Sequence, residues 1–424
     1  MISVGDSAEI SKIYGITGKY KKSEFYPVIR QLAKGKAMPG LFNVLDEDLH
    51  RILKKPIAST YSMSNLVSFE PLVDSTMRVF FEELDRRFVQ TDMICEFDAW
   101  LQMFAFDVMG EITFSKRLGF LERGEDVDGI MASIWNHFQY TAPVGQMPWL
   151  DNLLKKNPVL SRLQPERTNP MVSFARERMS ERQNAEEEAK LPLNNRDFLS
   201  RFIEAEAKEK DLPPWALMSW TTSNITAGSD TTAILLRTIF YSLLKHPQDM
   251  ERLMKELSTA RDGGRLSNPV TWKETRDLPF LDACVKEAGR LHPPFGLQYE
   301  RVVPEEGANI CGQYVRGSTI VGINPWVAHR DEAIFGHDAQ AWRPQRWLCD
   351  EKSRKSMEHS LLTFGAGHRS CIGKNISYLE VYKLVPTMLQ LYDIEMHDPN
   401  ATWEVQNSWF VVQKGFRVRL HRKK

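Results

Sequence analysis

The chain has 424 residues, 42% hydrophobic and 26% charged, a composition that suits a globular protein with a substantial core. Its 55 basic and 55 acidic residues cancel, which argues against a nucleic-acid-binding protein with its usual basic excess. Five scattered cysteines, Cys95, Cys284, Cys311, Cys349 and Cys371, match neither a disulfide framework nor a zinc knuckle, and a reducing compartment fits them. No run of about 18–20 apolar residues is present to span a membrane.

Taken in order, Leu66 to Phe88 carries apolar residues at helical spacing, and Asp98 to Phe114 does the same. Phe174 to Lys190 is charge-rich and reads as a solvated helix ending near Pro192. The longest helix is expected from Trp215 to His246, with Pro213 and Pro214 in its first turn and Pro247 closing it. At 1.5 Å per residue it would run about 48 Å, and it is apolar almost all round, as a buried helix is. Phe280–Leu291 is a further helix in which Glu287 and Arg290 share one face. Beyond Pro293, Tyr299–Val303, Ile310–Val315 and Thr319–Ile323 read as strands. A helix follows Cys371 to about Tyr392, and Val405 to Leu420 reads as a hairpin. The expected fold is mainly α with a smaller β region, and no linker divides residues 1–424 into separate domains.

The most informative segment is Phe364-Gly365-Ala366-Gly367-His368-Arg369-Ser370-Cys371-Ile372-Gly373. Its glycines allow tight turns and close approach to a flat ligand. Cys371 is expected at the start of a helix, where the helix N-terminus and neighbouring Arg369 would lower its pKa and favour the thiolate. The segment resembles the cytochrome P-450 signature Phe-x-x-Gly-x-Arg-x-Cys-x-Gly, matched at Phe364, Gly367, Arg369, Cys371 and Gly373. The resemblance implies haem b, with Cys371 as the axial ligand of its iron.

Three further segments resemble the family in the same order. Glu287 and Arg290 match its Glu-x-x-Arg motif, with Arg346 in Trp342-Arg343-Pro344-Gln345-Arg346-Trp347 completing a structural network. Gln345 stands where the family usually has an acid. Ala227-Gly228-Ser229-Asp230-Thr231-Thr232 resembles the oxygen-binding groove. A glycine inside a helix costs about 1 kcal/mol, and here it is expected to open that groove, while Thr231 bonds back to the Ala227 carbonyl. The resemblance gives Thr231 a part in oxygen activation and Asp230 a part in proton relay. Asp46 to Met63 resembles the helix whose His and basic residue hold haem propionates, here His50 with Lys54, or Arg51 in its place. Arg301 and Arg369 resemble other propionate contacts.

The phrases around Tyr61-Ser62-Met63 and the cysteine loop are most similar to fungal, pisatin-demethylase-like members. The chain departs from membrane-bound relatives by starting late, at the segment that follows their anchor, hinge, first helix and first strands. An engineered truncation, an incomplete gene model and a naturally short form all remain open. The expected activity is insertion of one oxygen atom from O2 into a lipophilic metabolite, plausibly in fungal secondary metabolism, with NADPH electrons delivered by a reductase. Candidate substrate contacts are Trp220, Asn224, Ala227, Phe295, Leu297 and Trp409, each equally readable as core packing. A monomer is expected, intracellular, on the endoplasmic reticulum surface if a longer form carries an anchor and cytoplasmic otherwise. A haem-thiolate isomerase, dehydratase or peroxygenase, or a truncated non-catalytic haem-binding protein, are the alternatives.

Overall fold

The computed structural model describes residues 1–16, 19–33, 36–157, 170–183 and 196–423. The expected helices are present. Helix α1 covers Glu47–Lys54, its first turn capped by Asp46, whose carboxylate accepts the Leu49 N–H at 2.7 Å. Helix α2, Glu70–Leu84, runs into a π-helical turn at Asp85–Val89. Helix α3, Phe97–Phe114, is buried along almost its whole length, and the long helix α4, Ala216–Lys245, lies against it. Helix α5 is Pro279–Leu291, and helix α6, Lys374–Leu391, follows the cysteine loop. The charge-rich segment is helical over Pro170–Gln183, and its expected continuation to Lys190 lies outside the described residues.

Three expectations need correction. Pro213 and Pro214 sit in the turn before α4 rather than in its first turn, where the Pro213 carbonyl accepts the Ala216 N–H. Ile310–Val315 is a hairpin rather than one strand: Ala308–Ile310 pairs with Gln313–Val315. The turn residues Cys311 and Gly312 have φ of 50° and 77°, the left-handed pair that tight hairpins use. At the tail, Glu404–Ser408 and Phe410–Lys414 form the hairpin. After Gly415 (φ 81°) the last strand, Arg417–Arg422, pairs instead with Tyr392–Met396 and Cys95–Glu96.

The main sheet has four strands, β1 Ile2–Val4, β2 Lys21–Lys22, β3 Arg301–Val302 and β4 Ile320–Ile323, in the spatial order β1-β4-β3-β2. Strand β1 runs parallel to β4, the other pairs are antiparallel, and Lys22 stands opposite Arg301. A small core of Val4, Ile13, Tyr14, Val321 and Ile323 lies under this sheet, while the large core surrounds α3, α4 and α6. Among the described residues no helix is long and apolar enough to cross a membrane.

Helix α6 is stapled to α2 by a charge. Lys383 is fully buried, and its ammonium pairs with Glu70 and Asp74, each at 3.0 Å, and donates to the Val270 carbonyl at 2.9 Å. Removing a buried cation leaves its partners uncompensated. Lys383→Met is expected to lower unfolding stability in urea by about 3 kcal/mol, more than a surface ion pair would.

Candidate active site

The cysteine loop is shaped by backbone sterics. Gly365 and Gly367 have φ of 67° and 64°, and a Cβ on Gly367 would meet the Tyr14 carbonyl oxygen at 1.6 Å, so no other residue fits there. The Cys371 N–H closes the loop on the Phe364 carbonyl at 2.8 Å. The Phe364 ring meets Tyr378 edge-on, centroids 5.1 Å apart. Helix α6 begins only at Lys374, so Cys371 precedes it, yet the backbone N–H groups of Gly373 and Lys374 still reach its sulfur.

The thiol's electrostatics differ from the sequence expectation. Burial pushes the Cys371 pKa up, and this outweighs the lowering by those two amides and by the Lys374 and Lys54 charges. Arg369 is not among its main influences, and its guanidinium is taken up by Glu47 at 2.8 Å and the Val44 carbonyl at 3.0 Å. Cys371 is nevertheless exposed, whereas Cys95 and Cys284 are packed away.

A cavity of about 720 Å3 has Phe364, Gly365 and Gly367 of the loop, Gly289 of α5 and Leu235 of α4 among its walls. Leu235 shares one face of α4 with Thr231 and Ala227, at successive i, i+4 positions. Along this otherwise buried helix Ala227 is exposed and Thr231 partly so. The Thr231 hydroxyl donates to the Ala227 carbonyl at 2.9 Å, as expected. Gly228 does something other than expected: a Cβ there would meet the Met109 sulfur at 2.6 Å, so the glycine admits α3 instead of opening a groove. Asp230 turns toward α3, where Gln102 donates to its carboxylate, and burial raises its pKa to about 6.

Behind the loop lies a buried ionic network. Glu287 takes a two-pronged contact from Arg290, 2.8 Å on each oxygen, and further bonds from Arg346 Nε (3.0 Å), Trp347 Nε1 (2.9 Å) and the Arg343 N–H (2.8 Å). Glu287 and Arg290 are fully buried and Arg346 nearly so. Gln345, which replaces an acid, donates to Asp249 instead, beside Trp342 Nε1. His329 was not singled out from the sequence, yet it joins this network to the loop. It accepts the Leu362 N–H at Nε2 (2.7 Å), which leaves Nδ1 to donate to the Arg290 carbonyl (2.9 Å). Burial depresses its pKa to about 3, so the ring stays neutral.

On the other side of the loop the charges do not balance. Lys22, Arg301 and Arg369 are held together inside the protein, and Lys22 stands directly across the strand pair from Arg301. Like charges facing each other across strands are destabilising. Among the described residues Glu47 is the one carboxylate in ion-pair range of any of the three. Lys22 donates to the Phe42 carbonyl and lies over the Tyr26 and Phe42 rings, and Arg301 donates to the Glu300 carbonyl at 2.8 Å. Burial, then Arg301 and Arg369, drive the Lys22 pKa well down, and burial with Arg369 depresses His50 to about 3. Lys54 donates to the His368 carbonyl at 2.7 Å and so braces the loop, whereas Arg51 is exposed and pairs with Asp48.

These residues fit the expected haem on three counts. An exposed Cys371 has amide donors on its sulfur, the long helix has an accessible Ala227–Thr231 face, and clustered cations lack the anions that two propionates would supply. Lys22 and Glu47 were missed in the sequence because short strands and a helix end carry no signature of long-range charge pairing.

The substrate candidates divide. Trp220 donates to the Leu53 carbonyl at 3.1 Å, and Asn224 is consumed between Tyr61 (3.0 Å) and Thr113 (2.8 Å), so both have packing partners. Leu297 and Phe295 are partly accessible. Phe295 and Trp409 belong to an aromatic cluster, centroids 5.4 Å apart, with Phe42 and Phe138 each close to Trp409. Trp409 occupies the tip of the tail hairpin with φ 75°, a strained conformation for a bulky residue. The Gly296 N–H holds that tip through the Trp409 carbonyl at 2.8 Å.

Replacing Glu287 by Gln would leave buried Arg290 without a counter-charge and Arg346 with Asp338 alone, at 3.1 Å. Glu287→Gln is expected to lower unfolding stability by about 3–5 kcal/mol and to reduce haem retained after purification, read by urea unfolding and by haem-to-protein ratio.

Comparison with known proteins points the same way as the site. The cytochrome P450 family model matches residues 1–418. A cytochrome P450 monooxygenase of Aspergillus terreus is 54% identical over 398 residues, 93% of this chain and 81% of that protein. Cytochrome P450 monooxygenase cicH of Emericella nidulans is 52% identical over 420 residues, 99% of this chain and 84% of its own. The mpaDE monooxygenase of Penicillium roqueforti is 43% identical across this whole chain, which covers 50% of that longer protein.

Proposed function

From the premise that the chain belongs to the cytochrome P450 family and is a haem-dependent monooxygenase, we propose that it inserts one atom of O2 into a lipophilic, aromatic-rich metabolite. The observation that carries this reading is the exposed Cys371 with backbone amides on its sulfur, in a glycine loop whose neighbours Phe364, Gly365 and Gly367 line one cavity with Leu235 of the long helix. A haem-thiolate group supplies the redox chemistry of oxygen activation when bound.

The chain's own residues hold, orient and protonate. Cys371 would ligate the iron, its sulfur receiving the Gly373 and Lys374 amides. Because burial keeps the free thiol protonated, ligation itself would release the proton. Arg301, Arg369, Lys22 and His50 would face the propionates, where carboxylates relieve the crowding of cations. Lys54 and Phe364 hold the loop in place, and Glu287, Arg290, Arg346 and His329 hold it from behind. Thr231, partly exposed on the long helix, would orient a water toward the reacting oxygen. Asp230, with a pKa near 6, can both take up and give a proton at neutral pH.

Ala227, Phe295, Leu297 and Trp409 would meet the substrate. A cluster of rings such as Phe42, tilted on Trp409, and Phe138, edge-on to it, suits a flat aromatic ligand. Residues 1–424 act as one catalytic domain, a reading supported by a core that runs from Phe25 to Leu420. Electrons would come from an NADPH-dependent reductase docking on the Cys371 side. A place in fungal secondary metabolism fits the relatives' fungal sources.

The test is coupling efficiency with reductase, NADPH and a substrate found by screening lipophilic phenolic compounds. Asp230→Asn and Thr231→Ala are each expected to cut product per oxygen consumed, with Asp230→Asn slowing product formation on the order of 10²-fold. Unchanged product per oxygen in both variants would remove the proton-delivery roles.

A further inference from the structure

Gln102 lies on α3 against the Asp230 turn of α4, and its amide sits between two charges of the long helix. Arg237 Nη2 donates to Gln102 Oε1 at 2.7 Å, and Gln102 Nε2 donates to Asp230 Oδ1. The guanidinium is fixed from another direction by the Asp98 carbonyl, at 2.9 Å from Nε and 2.7 Å from Nη2. Asp230 and Arg237 are buried.

The orientation of that amide is determined by chemistry. Arginine only donates and an ionised carboxylate only accepts. The amide oxygen therefore faces Arg237 and the amide nitrogen faces Asp230. The flipped amide would set carbonyl against carboxylate and NH2 against guanidinium, two repulsions in a buried site. Arg237 and Asp230 form no direct ion pair among the described residues. The carboxylate thus receives a neutral donor whose direction is locked by a cation one step away.

We infer that Gln102 is a positioning residue that clamps the Asp230 carboxylate on the α3 side and sets the pH at which Asp230 exchanges its proton. This rests on the reading of Asp230 as the proton-relay acid. The groups acting on Asp230 are few. Burial raises its pKa most, Arg237 on its own helix and Gln102 on α3 lower it, and Asp126, from the segment before the Ile130–Gly145 helix, raises it slightly. A direct salt bridge in place of the amide would keep the group ionised, and no partner at all would leave it protonated. The amide relay holds it between the two.

The sign follows. Removing the donor withdraws stabilisation from the charged form, so the Asp230 midpoint must rise. The test is infrared titration of the Asp230 carboxyl in the purified holoenzyme, its band assigned by loss in Asp230→Asn. Gln102→Leu is expected to move the midpoint up by about one to two pH units. Gln102→Glu, nearly the same size, removes the donor and adds a neighbouring carboxyl, so it is expected to move the midpoint in the same direction even where the leucine variant folds poorly. A midpoint unmoved or lowered in both variants overturns the clamp. A raised midpoint without a parallel shift in the pH dependence of product per oxygen keeps the clamp and removes the proton-relay role of Asp230.

Discussion

A single carboxylate carries the site. Glu287 accepts five hydrogen bonds, four from side chains of Arg290, Arg346 and Trp347 and one from the Arg343 backbone. Without it the buried Arg290 guanidinium would have no counter-charge, and Arg346 would keep only Asp338. With them fixed, the Arg290 carbonyl is fixed, and through it the His329 ring. That ring receives the Leu362 N–H, two residues before the cysteine loop begins at Phe364. Thr363 adds a second tie, its hydroxyl donating to the Gly289 carbonyl at 2.8 Å. The position of one sulfur therefore depends on an ion network one helix away, through hydrogen bonds whose donors and acceptors cannot be exchanged.

Charge is distributed around that sulfur in two different ways. Behind it, positive and negative groups are matched and dry. Beside it, Lys22, Arg301 and Arg369 gather around one Glu47. On the proposed reading the excess awaits the haem propionates, and carboxylates arriving there would relieve the repulsion. The sulfur follows the same logic. Burial favours the thiol, so on the proposed reading ionisation would come with metal binding rather than with folding. The sequence reading placed the activation of Cys371 in the helix end and Arg369. The structure assigns the helix amides that part, gives Arg369 to Glu47, and lets burial dominate.

Much of this was legible in the chain itself, because local chemistry wrote it there. Gly365 and Gly367 announce left-handed turns, and Gly367 is needed because Tyr14 passes so close. The all-round apolarity of Ala216–Lys245 announces burial, and Thr231 bonds to Ala227 as helix geometry requires. What the chain did not show depends on distant partners. Gly228 looked like space for a ligand and is space for Met109. Trp220 and Asn224 were readable as substrate contacts or as core, and their bonds to Leu53, Tyr61 and Thr113 place them in the core. Lys22, Glu47, Gln102 and His329 carry no local pattern, and each gains its meaning from a group on another element.

The central claim is that Cys371 presents its sulfur to haem iron inside the cavity beside the long helix. The absorption spectrum of the reduced, carbon-monoxide-bound protein tests it most directly. A strongly red-shifted Soret band in the native chain, absent in Cys371→Ser that still binds haem, is the predicted result. An unshifted band in the native chain, or a red-shifted band that survives Cys371→Ser, would contradict it.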